Sequence, residues 1–140
     1  MIRRIVCLII VVGVLLSGFT ARASDPEEEK AALAASEKWL SMIDSERYAE
    51  SREEAAESIR NAVQPRKWEQ LIQGAREPLG KIISRKVGTA DFKNSLPGAG
   101  GGYAVIQFET SFENKKAAVE TVTPAKGRDG VWRVSGYYIR

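Results

Sequence analysis

The sequence predicts an α+β domain, with three N-terminal helices packed on one face of an antiparallel sheet of about four strands. Two observations carry this. Apolar residues recur at helical spacing as far as Ala75 and then at a spacing of two from Lys81 onward, and the helix breakers Pro78 and Gly80 separate the two regimes. Neither an internal repeat nor a second domain is visible, so residues 24–140 are expected to form one domain behind a leader at 1–23.

The first helix opens on Asp25 as N-cap and Pro26 at the first helical position. Glu27, Glu28 and Glu29 complement the positive end of its dipole. Ala32, Ala35, Trp39, Met42 and Ile43 form its apolar stripe. After the polar break Asp44–Arg47, a second helix places Tyr48, Arg52, Ala55, Ile59 and Val63 on one face, Arg52 lying along it through its aliphatic stem. Pro65 opens a third helix, with Trp68, Leu71, Ile72 and Ala75 in line.

In the first strand Ile83, Arg85 and Val87 are expected on one side, and Gly88 marks a bulge that shifts the phase toward Ala90 and Phe92. Residues 93–102, rich in glycine, form a loop. Two alternating strands, 103–113 and 116–125, are joined by a two-residue turn at Asn114-Lys115, and a turn at Asp129-Gly130 leads to a last strand over 131–139.

That hairpin sets a register. With Asn114-Lys115 as the turn, Ala104, Ile106, Phe108, Thr110 and Phe112 share the helix-covered face with Ala117, Val119, Thr121, Trp132, Val134, Gly136 and Tyr138. Gln107, Glu109, Ser111, Ala118, Glu120, Val122, Tyr137 and Ile139 fall on the other face, with Glu109 directly opposite Glu120. Opposed like charges destabilise a strand pair, so the pair calls for compensation. It is either a carboxylate pair fit for acid–base work, a pair bridged by an arginine or a ligand cation, or two solvated glutamates splayed apart or in a register wrong by two residues. Arg85, flanked by aliphatics, needs a partner. It serves either to recognise an anion in a pocket or to form a salt bridge to a helix carboxylate such as Asp44 or Glu77.

Residues 1–23 read as a cleavable secretory signal. Arg3 and Arg4 make a basic start, Ile5 to Leu16 carries no polar side chain, and Ala21-Arg22-Ala23 supplies the small residues a signal peptidase reads, placing cleavage before Ser24. The run is shorter than the roughly 20 apolar residues of a membrane span, so no stable span is expected after cleavage, and the protein is expected to be periplasmic or secreted. The 21 Lys and Arg, less Arg3, Arg4 and Arg22, leave 18 to balance the 18 Asp and Glu. Net charge therefore gives no case for nucleic acid or an anionic membrane as partner.

The single cysteine, Cys7, lies in the leader and the chain has no histidine. Cysteine or histidine nucleophilic chemistry and the usual zinc ligands are thereby excluded from residues 24–140, and no cofactor is expected. The cluster Gly98, Gly100, Gly101 and Gly102 precedes a strand rather than a helix, so it lacks the setting of a phosphate loop.

Several segments carry a family resemblance: Trp39-Leu40 with Asp44 and Tyr48, Trp68, Arg76-Glu77-Pro78-Leu79-Gly80, Arg85, Leu96-Pro97-Gly98, Phe108 to Phe112, Glu120-Thr121-Val122, and Asp129-Gly130 through Tyr137-Tyr138-Ile139. From about Ala35 onward the chain resembles the bacterial exported family called domain of unknown function 4019, a resemblance that implies no residue roles. By analogy of element order, the fold is similar to nuclear transport factor 2-like (cystatin-like) domains, in which a curved sheet wraps a helix into a cone. Fold alone does not decide function.

The leading expectation is a non-catalytic binding or protein-interaction module, whose partner is a small ligand or a second copy of the chain. Its candidate ligand-binding residues are Arg85, Glu109, Glu120 and Tyr137. The rival is a small enzyme using Glu109 and Glu120, or one of them with Tyr137, as acid and base.

Overall fold

The computed structural model describes residues 25–94 and 101–140. The expected signal, with Ala21, Ala23 and Ser24, and the loop residues Gly98 and Gly100 lie outside the described residues. Helix α1 (Pro26–Asp44) is followed by α2 (Tyr48–Glu53), α3 (Glu57–Ala62), α4 (Pro65–Arg76) and a 3₁₀ turn, Glu77–Leu79. Strands β1 (Ile82–Lys93), β2 (Tyr103–Phe112), β3 (Lys115–Lys126) and β4 (Trp132–Ile139) make one antiparallel sheet in the order β1-β2-β3-β4. The α+β class and the four-strand meander are as the sequence predicts.

Helix α1 starts as expected: Asp25 caps it by accepting from the Glu27 amide at 3.0 Å, and Pro26 follows. Glu28 then ties its first turn to the far end of the sheet, accepting from Lys126 Nζ at 2.7 Å and Trp132 Nε1 at 2.9 Å. The helix ends in a Schellman motif, in which the Glu46 amide donates to the Ile43 carbonyl and the Arg47 amide to the Met42 carbonyl. Glu46 occupies the left-handed position, φ 58°, where glycine is usual.

The expected second helix is in fact two. Ala56 is extended, and its amide donates to the Val134 carbonyl of β4 at 2.8 Å instead of continuing the helix. Arg52 does more than lie along the surface. Its Nε donates to the Val63 carbonyl at 2.8 Å and its Nη2 to the Arg60 carbonyl at 2.7 Å, satisfying carbonyls that α3 leaves orphaned at its end. Six-residue helices are too short to stand alone, so these bonds and core packing hold them.

Burial against the helices alternates along β2 as expected, with Ala104, Ile106, Phe108, Thr110 and Phe112 inward. On β3 the expectation is off by one residue. The turn lies at Glu113-Asn114, Phe112 pairs with Lys115, and an irregularity at Ser111 sets the remaining register. Asn114 anchors the hairpin tip ahead of β1, its amide donating to the Leu79 carbonyl and its side chain to the Pro78 carbonyl, but it is the irregularity, which sets Lys116 and Ala117 opposite the single Ser111, that slips the strand by one residue. Gly80, at φ 75°, leaves room there, since a Cβ on it would lie 2.9 Å from Glu113 Cβ. A one-residue slip turns every side chain over. Ala118, Glu120 and Val122 therefore face the helices in place of Ala117, Val119 and Thr121, and Glu109 pairs with Val119, not Glu120.

In β4 the register shifts between Val134 and Gly136. Trp132 and Val134 keep their expected side, but Tyr137 and Ile139 follow Val122 and Glu120 onto the inner face, and Tyr138 points outward, 55 % exposed. In β1, register shifts at Ile83 and Gly88 leave Ile83 exposed, so it does not flank Arg85 as expected. Arg85 pairs with Thr110 on the inner side. The core lies between this face and the helices, around Trp39, Leu40, Ile43, Trp68, Ile106 and Phe108.

Candidate functional site

Three of the four expected site residues converge; the fourth does not. Arg85 from β1, Glu120 from β3 and Tyr137 from β4 meet beneath the C-terminal end of α1, where Asp44 completes the group. Arg85 holds Asp44 with both ends of its fork, Nη1 to Oδ2 at 2.7 Å and Nη2 to Oδ1 at 3.0 Å, while its Nε donates to Glu120 Oε1 at 2.7 Å. Such forked charge-assisted bonds are strong and fix orientation. Arg76, at the end of α4, adds a 2.8 Å bond from Nη2 to Asp44 Oδ1 and lays its guanidinium 4.8 Å from the Phe112 ring centre.

Glu120 is 0 % exposed. Its Oε1 also accepts from the Thr110 hydroxyl at 2.7 Å, and its Oε2 accepts from the Tyr137 hydroxyl. Two carboxylates thus face two guanidinium groups, and both oxygens of each carboxylate are occupied. That compensation is what one buried and one half-buried negative charge require. Burial pushes the Asp44 carboxyl up, but bonds from Arg85 and Arg76 outweigh it and hold it below the ordinary carboxylate range. Burial and the neighbouring Glu120 carboxylate push the Tyr137 phenol up, so it keeps its proton. Its ring also packs edge-on against Trp39, at 5.1 Å between centroids.

Glu109 stands apart on the outer face, its side chain 59 % exposed and paired with Lys86 at 3.0 Å. The expected opposition of Glu109 and Glu120 therefore does not exist, and of the alternatives the solvated glutamate describes Glu109. Glu120 has its compensating arginine, but as a partner from β1 inside the core rather than a bridge between two glutamates. Arg76 escaped the sequence-based selection of site residues, although a signal was present: it continues the Trp68–Ile72 stripe of α4 at the next four-residue step, where a charged residue on an apolar face requires a buried partner. A tether beneath the same region joins the helices, with Trp39 Nε1 donating to the Ser51 carbonyl at 2.8 Å and Trp68 Nε1 to the Ser51 hydroxyl at 3.0 Å.

A second feature is a groove of about 670 Å³ between α4 and β4. Trp68, Leu71, Ile72 and Ala75 of α4 form one wall, β4 from Ser135 to Ile139 forms the other, and Lys115 and Arg140 also line it. Leu71 is 49 % exposed there. Among the described residues no group of His, Cys, Asp and Glu has the spacing to hold a metal, and no helix is long and apolar enough to cross a membrane.

No curated protein is measurably similar to the chain. A family model does match, over residues 35–137, a span that includes every member of the charged cluster. The chain belongs to the family described as "Protein of unknown function (DUF4019)".

Proposed function

We propose that the chain is exported, is cleaved after Ala23, and works in the periplasm or outside the cell as a non-catalytic binding module whose partner sits in the groove between α4 and β4. The order of basic start, apolar run and Ala21-Arg22-Ala23 supports export. The observation that carries the binding role is the contrast between the two features of the domain. Every carboxylate oxygen of Asp44 and Glu120 is engaged inside the cluster, where only Arg76 keeps buried donors, Nε and Nη1, without a partner among the described residues, whereas an apolar groove with Leu71 and Tyr138 at its margins is left open.

The contrast bears on catalysis. A general base needs a free lone pair within reach of a substrate, and Glu120 has both oxygens engaged in the core. Glu109, the other candidate, is a solvated residue on an open strand face. In this reading Arg85, Glu120 and Tyr137 bind one another and Asp44, and their work is to fix the helices on the sheet so that both walls of the groove hold their positions.

Two measurements test the proposal. N-terminal sequencing of the protein recovered after export is expected to begin at Ser24. Native mass spectrometry of the same material is expected to find a bound species that Leu71→Asp removes; a chain that begins at Met1, or carries nothing, contradicts the corresponding half.

A further inference from the structure

Resting on that reading of the groove, we infer that its occupant is an extended peptide segment, apolar at alternate positions and acidic at one end, which adds to the sheet as a fifth strand beside β4. The direction of the β4 backbone carries the inference. Arg140 and Val119 exchange both of their main-chain bonds, at 3.0 and 2.9 Å. In an antiparallel ladder every second residue repeats that orientation, so Tyr138 and Gly136 also turn their amides and carbonyls toward β3. Tyr137 and Ile139 therefore direct theirs the other way, off the edge of the sheet and into the groove. At the opposite end of β4, Ala56 already occupies the Val134 carbonyl. The free edge runs from Ser135 to Ile139, about 17 Å of extended chain.

The sheet has a second edge, β1, and the contrast between the two locates the site. Two register shifts bend β1, and Lys86, Asp91 and Lys93 stud it, which are the usual defences of an edge against strand pairing. β4 carries no charged side chain between Val134 and Ile139. Its edge runs alongside the apolar face of α4, so an added strand finds main-chain bonds on one side and pockets for alternate side chains on the other. The volume is in the range of ordinary ligand sites, about 300–1,000 Å³.

Charge selects the occupant. Lys115 and Arg140 both stand at the C-terminal end of β4 and form no ion pair among the described residues. An acidic group on the incoming strand completes that end. A second copy pairing through the same edge brings two more of the same cations to the interface.

The test is a random heptapeptide display library panned on the purified protein, with Leu71→Asp as the control surface; Leu71 is half-exposed, so the variant is expected to fold, which its circular dichroism spectrum checks. The enriched peptides are expected to alternate apolar residues and to end in Asp or Glu. A synthetic copy of the strongest is expected to shift the amide resonances of Tyr137 and Ile139. Its affinity is expected to fall at least tenfold in Leu71→Asp, in Lys115→Glu with Arg140→Glu, and when its own alternate amides are N-methylated. Absence of enrichment over the control, equal binding of the N-methylated peptide, or self-association of the protein that protects those two amides overturns the inference. If no peptide is enriched but a bound species in native mass spectra is still lost with Leu71→Asp, strand addition fails while the groove remains a binding site. If both are absent, the two proposals fail together.

Discussion

Arg85 on β1 reaches across the intervening strand to Glu120 on β3, placing its Nε 2.7 Å from Oε1, and Thr110 of β2 donates its hydroxyl to the same oxygen on the way. Three neighbouring strands are thus joined through side chains on the face that carries the helices, and Asp44 adds α1 to the set.

Removing Glu120 leaves Arg85, Tyr137 and Thr110 without their common acceptor inside the core. Glu120→Ala is expected to cost about 3–5 kcal/mol, the usual result of breaking one side of a buried pair. Glu109→Gln, which removes a solvated surface pair, is expected to stay within about 0.5 kcal/mol. Denaturant unfolding of both variants measures the contrast; similar losses would mean that the two glutamates share a role.

Stability should depend on acid through Asp44. Its carboxyl is held below its ordinary value in the folded protein, so on acidification the unfolded chain takes up the proton first. The contribution is complete above the ordinary aspartate value of about 3.9 and is lost as pH falls through the lower folded value. Asp129, held at about 2 by Arg133 and the Val131 amide, and Glu28, held low by Lys126 and Trp132, act in the same direction. Unfolding free energies at pH 7 and pH 3 for wild type and Asp44→Asn separate the Asp44 part: the variant is less stable at pH 7 and loses less on acidification. An equal loss in both proteins would contradict the assignment.

The Ser51 tether makes a separate prediction. Ser51→Ala leaves Trp68 Nε1 without its acceptor in a buried position and is expected to cost about 1–3 kcal/mol. The Trp39 bond, which goes to the Ser51 carbonyl, survives the substitution. Denaturant titration followed by tryptophan fluorescence reads both the loss and the altered environment of Trp68.

One substitution is expected to stabilise. Glu46 holds a left-handed conformation that costs a residue with a Cβ, and its side chain is exposed. Glu46→Gly is expected to gain about 0.5–1 kcal/mol, the relief of the left-handed conformation less the entropy that glycine loses on folding. A fall in melting temperature would show that the Glu46 side chain contributes something its exposure hides.

Much of this fold was legible in the sequence, and the failures share a physical origin. The N-cap of α1, the start of α4 at Pro65, the alternation of β2 and the change of period near Gly80 are local signals and stand as expected. The β3 register depends on an irregularity that sets Lys116 and Ala117 opposite Ser111, next to a turn that Asn114 ties to the distant Pro78 and Leu79, and a two-residue hairpin rule contains neither. The same is true of the break before α3, where Ala56 follows a bond to β4 rather than its own helical preference. Within the charged cluster, Arg85 announced itself as a charge among aliphatics. Glu120 drew attention for the wrong neighbour, because the expected register placed it opposite Glu109, whereas it pairs with Phe108.

The most direct measurement is native mass spectrometry of the exported protein as wild type, Leu71→Asp and Glu109→Gln, compared at equal concentration. A bound species present in wild type and Glu109→Gln and absent from Leu71→Asp is the predicted result. A species that survives Leu71→Asp, or that is lost with Glu109→Gln, would contradict the assignment of binding to the groove between α4 and β4.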